Sequence, residues 1–309
     1  MRGVRSRAIT LPVISAALLF GVDAPSPFAG RWDLTIVTSK GADPAGAYPA
    51  WLEFADESGT PAIRMVGRTG SVHPVRNAKV EGASLMFEDG AAPGFWQIIV
   101  KDRKLTGQAP DGPLTGVPAP SLKKYTSHKG PDAWSSPERL FNGHDLTGWM
   151  PDNPAANHWI AENGELRNMQ AGANIRTTRK FGDFKLHIEY NCPLGGNSGV
   201  YLRGRYEVQV EYEPAAKNDS FHRMGSIYGF IPPATDIDPR PGQWEGYDVT
   251  LVGRTVTVVR DGVLIIDRAE IPGITGGALD SREGEPGPLY LQGDHTGGLK
   301  YRNITISVP

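Results

Sequence analysis

Four polar side chains are spaced so that they could act together on one surface of a β-sheet. Glu189 ends one strand-like segment, Arg203 follows a glycine-rich turn, and Glu207 and Gln209 alternate in the next segment. Because side chains two residues apart in a strand point to the same face, these groups can share one surface. Acids, an arginine and an amide on one face suit a polar, uncharged ligand such as a sugar. A merely solvated face would usually be richer in lysine and threonine.

Glu189 is the first candidate for acid–base chemistry. In residues 184–190 apolar side chains alternate with Lys185, His187 and Glu189, so the glutamate should face away from the core. A glutamate in a sugar cleft can serve as general base or general acid when its surroundings raise its pKa. A solvated carboxylate paired with Lys185 would give the same pattern.

Residues in turns and at strand ends could complete such a site. Arg203 could bind a hydroxyl or stabilise an oxyanion, or it could pair with Glu207 or Glu211 across a hairpin. Asn197 could offer its amide to a ligand or could hold its own turn. His295 follows a strand and is either an acid or base beside a cleft or an exposed turn histidine.

Several function classes lack their sequence signals. The formal net charge is −2 and no basic block is present, which argues against a nucleic-acid partner. The histidines are scattered without short ligand spacing, so no metal motif stands out. There is no Gly-x-Ser-x-Gly elbow and no phosphate loop, so an ordinary serine hydrolase or a nucleotide-binding protein is poorly supported. Cys192 is the only cysteine, which excludes an internal disulfide.

The elements that must position these residues are strands. The 309 residues include 38 glycines and 26 prolines and no long helix-period stretch, which favours an all-β fold of short strands joined by turns. Residues 25–124 predict a small lipocalin-like β-barrel or sandwich. Residues 125–137 have the composition of a linker. Residues 138–309 contain longer strands, including a hairpin at Asp261-Gly262, and predict a two-sheet jelly roll.

The N-terminus has the features of a secretory signal. Three arginines precede a short apolar stretch, and Val22 and Ala24 offer small residues for cleavage after position 24. The apolar stretch is too short for an ordinary membrane span, and no other candidate span follows. We therefore expect an exported protein, periplasmic or secreted, without an integral membrane segment once residues 1–24 are removed. A retained N-terminal anchor is the alternative.

Six motifs resemble those of the 3-keto-disaccharide hydrolase domain family. They are LFNGHDLTGW at 140–149, GNSGVYLRGRYEVQV at 196–210, GSIYG at 225–229, GQWE at 242–245, GPLYLQGDH at 287–295 and YRNI at 301–304. The resemblance extends over about residues 138–309. It implies a concanavalin A-like jelly roll in an exported protein that cleaves glycosides whose sugar carries a ketone at C3.

The chemistry implied by this resemblance assigns roles to the candidate residues. A C3 ketone acidifies the C2 proton; a base removes it, the enolate expels the C1 substituent, and water adds to the enone. Glu189 or His295 would be base or acid, Arg203 would stabilise the enolate, and Glu207 could also be catalytic. The expected substrate-binding residues are Asn197, Glu207, Gln209, Tyr228, Trp244 and Gln292.

Two alternatives stay open. A divalent ion such as Ca²⁺ or Mn²⁺ could act as the electrophile on the enolate oxygen, with Glu189, Glu207 and His295 as ligands. A non-catalytic glycan-binding module is the rival function class, because jelly rolls also form lectins. In the N-terminal unit we expect Trp51 and Trp96 to be core residues rather than a sugar platform.

Overall fold

A computed structural model of the chain describes residues 26–38, 46–57, 60–124, 133–212 and 219–309. These residues are almost entirely in strands, turns and loops, which confirms the all-β fold class. The predicted signal segment 1–24 and residues 125–132 of the predicted linker lie outside them. No helix in these ranges is long and apolar enough to cross a membrane.

Nine strands of the N-terminal part form one antiparallel sheet. They are β1 (Gly30–Val37), β2 (Ala47–Glu57), β3 (Thr60–Val66), β4 (His73–Pro74), β5 (Arg76–Glu81), β6 (Ser84–Glu88), β7 (Phe95–Lys101), β8 (Lys104–Ala109) and β9 (Gly112–Pro118). Their order is β4-β3-β2-β1-β9-β8-β7-β6-β5. Seven of the nine strands, all except β4 and β5, contribute to one buried cluster, which includes Leu34, Leu52, Leu85 and Trp96. The sheet therefore curls around its own core, and we call this unit the barrel.

The remaining strands form two further sheets. They are β10 (Glu138–Arg139), β11 (Trp149–Pro151), β12 (Trp159–Glu162), β13 (Glu165–Asn168), β14 (Ile175–Thr177), β15 (Phe184–Asn191), β16 (Asn197–Leu202), β17 (Tyr206–Glu211), β18 (Trp244–Val252), β19 (Thr255–Arg260), β20 (Val263–Glu270), β21 (Tyr290–Leu291) and β22 (Lys300–Ser307), with a 3-10 helix at Pro154–Ala156. The five-stranded sheet has the order β11-β14-β21-β16-β17. The eight-stranded sheet has the order β12-β13-β22-β15-β18-β19-β20, and β10 pairs with β22.

The two sheets bury a shared core, as a jelly-roll sandwich requires. Val200 and Val208 of the five-stranded sheet lie in one cluster with Leu186, Ile188 and Tyr247 of the eight-stranded sheet. The alternation predicted for residues 184–190 is confirmed, because every second side chain of β15 is buried. Each sheet therefore turns one face to the shared core and has a second face opposite to it. On the five-stranded sheet this second face is itself largely buried.

The hairpin predicted at Asp261-Gly262 is confirmed. The two residues connect β19 to β20 and have φ angles of 48° and 79°. A two-residue turn with positive φ at both central positions matches the twist of the paired strands.

The barrel packs against the jelly roll through buried contacts. Trp51 is fully buried as expected, but it belongs to the jelly-roll core, where its ring meets the ring of Phe230 edge-on at 5.4 Å. A Cβ atom at Gly273 would lie 2.1 Å from Nε1 of Trp51, so only glycine allows this approach. Trp96 is buried in the barrel core, as expected. Loops of the barrel can therefore contribute side chains at the surface of the jelly roll.

Candidate active site

The face of the five-stranded sheet opposite the shared core carries the candidate site. In β17 Val208 enters the core, and its neighbours Glu207 and Gln209 therefore point to this opposite face. Tyr201 of β16 pairs with Glu207, and Tyr290 of β21 pairs with Tyr201. Because directly paired residues project to the same side of a sheet, these polar side chains form one surface.

Glu207 is a buried carboxyl group within this surface. Its exposed fraction is 3%, and the hydroxyl of Tyr201 donates to its Oε2 at 2.9 Å. A Cβ atom on Gly199 would fall 2.1 Å from Oε1, so the glycine of the GNSG motif makes space for the carboxyl. Burial raises the pKa of Glu207 to about 8, with the charges of Asp294 and Glu211 acting in the same direction and the Tyr201 hydrogen bond opposing them. A carboxyl group in this range can take up or release a proton near neutral pH.

Two buried amide oxygens of the same face have no hydrogen-bond partner among the described residues. Oε1 of Gln209 and Oε1 of Gln292 accept no hydrogen bond within the described ranges. The other end of the Gln209 amide is fixed, since its Nε2 donates to Glu211 at 2.5 Å. The Gln292 backbone N–H donates to the carbonyl of Gly199 at 3.0 Å. Buried polar atoms without a partner are uncommon in proteins, so these oxygens are places where a ligand hydroxyl can donate.

His295 lies in the loop that borders this surface. Its Nδ1 is 2.7 Å from Oδ1 of Asp294, and both side chains are about half exposed. Thr296 anchors the loop, because its Oγ1 accepts from the N–H of Asn197 at 2.8 Å and donates to the Asn197 carbonyl at 3.2 Å. Asn197, Gln292 and His295 thus lie at the same face of the five-stranded sheet as Glu207.

Glu189 lies elsewhere. It belongs to β15 of the eight-stranded sheet, on the outward face, where Arg302 donates to Oε2 at 2.6 Å and Asn303 to Oε1 at 2.7 Å. Burial alone would raise the pKa of Glu189, but these hydrogen bonds and the Arg302 charge hold it below its usual value. The expectation that Glu189 shares a sheet surface with Glu207 and Gln209 is wrong, because their strands join different sheets.

Arg203 also departs from its predicted position. The strand ends at Leu202, and Arg203 adopts a φ of 54° in the turn between β16 and β17. Its guanidinium is 4% exposed and donates to the carbonyl of Gly253 at 2.5 Å and to the hydroxyl of Tyr206 at 3.2 Å. The alternation that placed it beside Tyr201 does not extend through the turn.

The two aromatic candidates are separated. Tyr228 pairs with the edge of β17, because its N–H donates to the carbonyl of Glu207 at 3.1 Å, and it lies beside the candidate site. Trp244 begins β18 of the eight-stranded sheet, and the guanidinium carbon of Arg302 lies 3.9 Å from its ring centroid. Arg302, rather than a ligand, stacks on this ring.

The metal ligands considered from sequence do not converge. Glu189 is on the other sheet from Glu207, and His295 is bound to Asp294. Across the described ranges, no group of three or more His, Cys, Asp or Glu side chains is placed to hold a metal ion.

Sequence reasoning missed two residues of the site. Tyr201 was available from alternation, since it lies between Val200 and Leu202, both of which enter the core. Asp294 was available only as the neighbour of His295 in the GPLYLQGDH motif. Neither position has an unusual residue type, so only the fold shows that both act on Glu207.

Comparisons with known proteins place the jelly roll in a family. Residues 136–307, more than half of the chain, match the family described as "3-keto-alpha-glucoside-1,2-lyase-like domain". A structure from Parabacteroides distasonis ATCC 8503, named a "putative glycosyl hydrolase", is 30% identical and covers 57% of this chain and 84% of its own, with a TM-score of 0.47. A second structure of that name and organism is 20% identical and covers 55% and 92%, also with a TM-score of 0.47. A Trypanosoma rangeli sialidase is 9% identical over 83% of this chain and 50% of its own, with a TM-score of 0.31. No curated protein sequence matches the chain.

Proposed function

The chain belongs to the 3-keto-alpha-glucoside-1,2-lyase-like domain family, and from that premise we propose that it cleaves the glycosidic bond of 3-keto-glycosides. The family indicates a carbohydrate-active, glycosyl hydrolase-type enzyme. The observation that carries this proposal is the buried carboxyl of Glu207, with a pKa of about 8, beside the amide oxygens of Gln209 and Gln292, which have no hydrogen-bond partner among the described residues. This replaces Glu189 by Glu207 as the acid–base residue.

The first step is removal of the C2 proton. The ionised Glu207 carboxylate takes the proton, the C2–H electrons form a C2–C3 double bond, and negative charge develops on the C3 oxygen. A base with a pKa near the working pH combines a useful ionised fraction with good proton affinity. Tyr201 supports both protonation states, because its hydroxyl is 2.9 Å from Glu207 Oε2 and 2.9 Å from the carbonyl of Gly276.

The second step expels the leaving group. The enolate electrons return to form the C3 ketone and a C1–C2 double bond while the C1–O bond breaks. In this proposal His295, whose Nδ1 lies 2.7 Å from Oδ1 of Asp294, gives the leaving oxygen its proton. Side-chain amides of Asn197 and Gln292 supply donors for the enolate oxygen. Water then adds at C1, a proton returns to C2, and the net reaction is hydrolysis.

The same proposal includes the setting of the reaction. We expect the protein to act after export, in the periplasm or outside the cell, because residues 1–24 have the pattern of a secretory signal. The substrate is then a sugar derivative that has been oxidised at C3 before it reaches this protein.

Product analysis tests the proposal. The purified protein is given a 3-keto-glucoside and, separately, the unoxidised glucoside, each with and without a chelator, in D₂O. We expect cleavage of the keto compound only, with deuterium appearing at C2. A loss of cleavage with chelator would add a divalent ion to the mechanism. Saturable glycan binding without any cleavage would instead establish the lectin alternative.

A further inference from the structure

A second group of reactive side chains lies where the barrel meets the jelly roll. Ser71 comes from the barrel loop between β3 and β4, and its Oγ contacts Nε2 of His222. Nδ1 of His222 lies 2.7 Å from Oδ2 of Asp219. The matched family region includes Asp219 and His222 but not Ser71, so the group exists only because the barrel is present.

The contacts of His222 suit a proton relay. In the tautomer with the proton on Nδ1, His222 donates to the Asp219 carboxylate, and Nε2 has a lone pair that can accept the Ser71 hydroxyl proton. Burial opposes ionisation of Asp219, but the hydrogen bonds from His222 and from the N–H of Phe221 hold the pKa of Asp219 below its usual value. The acid therefore stays ionised and orients the imidazole for proton transfer.

The surroundings hold the three residues in place. Nδ1 of His73 contacts the carbonyl of Ser71 at 2.9 Å, which fixes the backbone at the serine. A Cβ atom on Gly229 would lie 2.8 Å from Cβ of Ser71, so glycine there permits the close approach of the two loops. The ring of Tyr228 meets the ring of His222 edge-on at 4.8 Å. Both Ser71 and His222 remain partly exposed, so a substrate can reach them.

A donor for a developing oxyanion is also present. The backbone N–H of Val72 follows the serine and makes no hydrogen bond to any described residue. In known serine hydrolases the N–H of the residue after the nucleophile often completes the oxyanion hole. A Cβ atom on Gly229 would lie 3.2 Å from this nitrogen, so the loop that carries Gly229 packs closely beside the donor.

We propose that Ser71, His222 and Asp219 form a catalytic triad that hydrolyses small carboxylic esters with a polar alcohol part. His222 takes the hydroxyl proton as Oγ of Ser71 bonds to the carbonyl carbon. The ester C–O bond then breaks, and the alcohol leaves with the proton from His222. Water attacks the acyl-serine, His222 again moves the proton, and the carboxylic acid is released. A polar alcohol part fits because Tyr228, which contacts His222, also borders the polar face of the five-stranded sheet.

Covalent labelling of the full chain tests this site. The protein is treated with a fluorophosphonate, and the modified peptide is located by mass spectrometry; p-nitrophenyl acetate hydrolysis is measured in parallel. We expect one adduct on Ser71, none in Ser71→Ala, and labelling at least ~100-fold slower in His222→Gln and Asp219→Asn. Ser84→Ala, which removes a barrel serine far along the chain in β6, is the matched control and should label as the native chain does.

Three results would overturn the triad. The first is a folded native chain, verified by circular dichroism, that carries no adduct on Ser71. The second is a labelling rate that is the same in His222→Gln as in the native chain, which would make the contact a purely structural link between barrel and jelly roll. The third is ester hydrolysis that persists unchanged in Ser71→Ala. Because none of these readouts uses a glycoside, they are independent of the reaction proposed for Glu207.

Discussion

Each sheet of the jelly roll has a polar face opposite the shared core, and each of these faces carries a glutamate in a strand of alternating pattern. On the eight-stranded sheet, Glu189 accepts hydrogen bonds from Arg302 and Asn303, and its pKa is lowered. On the five-stranded sheet, Glu207 is buried, receives one hydrogen bond from Tyr201, and has a pKa of about 8. The two residues have the same chemistry and opposite environments.

The difference between the faces lies in what satisfies the polar groups. The carboxylate of Glu189 pairs with the guanidinium of Arg302, which stabilises its ionised form. Beside Glu207 the neighbouring charges are acidic, and two amide oxygens find no partner among the described residues. A site is therefore marked by polar groups that the protein itself leaves incomplete, rather than by the presence of a carboxylate.

The largest expected effect comes from exchanging each glutamate for its amide. Glu207→Gln keeps the size of the side chain but cannot accept a proton, so cleavage of a 3-keto-glucoside should fall by about 10³-fold in kcat. Glu189→Gln is the matched control and should stay within about twofold of the native enzyme, because Glu189 is on the other sheet. Steady-state kinetics of both variants decide the point. Equal losses in the two variants, or a loss only in Glu189→Gln, would reverse the comparison of the faces.

The pH dependence of stability should differ in sign between the faces. The folded-state pKa of Glu207 is raised from 4.5 to about 8, so the unfolded state loses its proton first as the pH rises. The contribution is therefore fully present below about pH 4.5 and falls by about 3 to 4 kcal/mol between pH 5 and 8. Glu207→Gln should remove this fall, so urea unfolding as a function of pH should give a flatter profile for the variant.

Glu189 supplies the opposite case. The folded-state pKa of Glu189 lies below its usual value. Its contribution to the free energy of unfolding is therefore present above the usual pKa and is lost as the pH falls through the folded-state pKa. Glu189→Gln should therefore alter the acid limb of the same profile and leave the range from pH 5 to 8 unchanged. A flattened profile between pH 5 and 8 in this variant would contradict the assignment.

The sequence predicts the strands better than their partners. Alternation correctly places Leu186 and Ile188 in the core and Glu189 outward, but it describes each strand separately. Which sheet a strand joins depends on pairing with residues far along the chain: β15 pairs with β18 and β22, whereas β16 pairs with β17 and β21. The error for Glu189 is therefore one of long-range pairing and not of local pattern.

Residues outside the regular strands differ in how far the sequence predicts their positions. The GPLYLQGDH motif keeps Gln292 and His295 together, because a short strand and its following loop are local in sequence. Arg203 was misplaced because period-two alternation does not show where a strand ends, and its left-handed φ of 54° belongs to the turn. The contact of Ser71 with His222 joins residues of two units and has no local signal.

A smaller effect is expected at Gln292 of the five-stranded sheet, where stability and activity should change in opposite directions. Gln292→Leu removes a buried amide oxygen that has no partner among the described residues, so the unliganded protein should become more stable by about 1 kcal/mol. The same change removes a ligand contact and should lower kcat/KM about tenfold. Gln243→Leu, on an exposed loop, is the control and should change neither quantity. A parallel fall in stability and activity in Gln292→Leu would mean that the amide is structural.

The smallest expected effect belongs to the outward face of the eight-stranded sheet. Arg302→Ala removes the ion pair with Glu189 and the stack on Trp244, both of which are partly exposed to solvent. Exposed ion pairs and cation–π contacts each contribute about 0.5 to 1 kcal/mol at most, so the free energy of unfolding should fall by about 1 kcal/mol or less. Arg302→Lys keeps the charge but loses the planar stack, and should retain part of this stability. Cleavage of the 3-keto-glucoside should be unchanged in both variants, because Arg302 and Glu207 belong to different sheets. A loss of cleavage in Arg302→Ala without a matching loss of stability would show that this face also contacts substrate, and the contrast between the two sheets would fail.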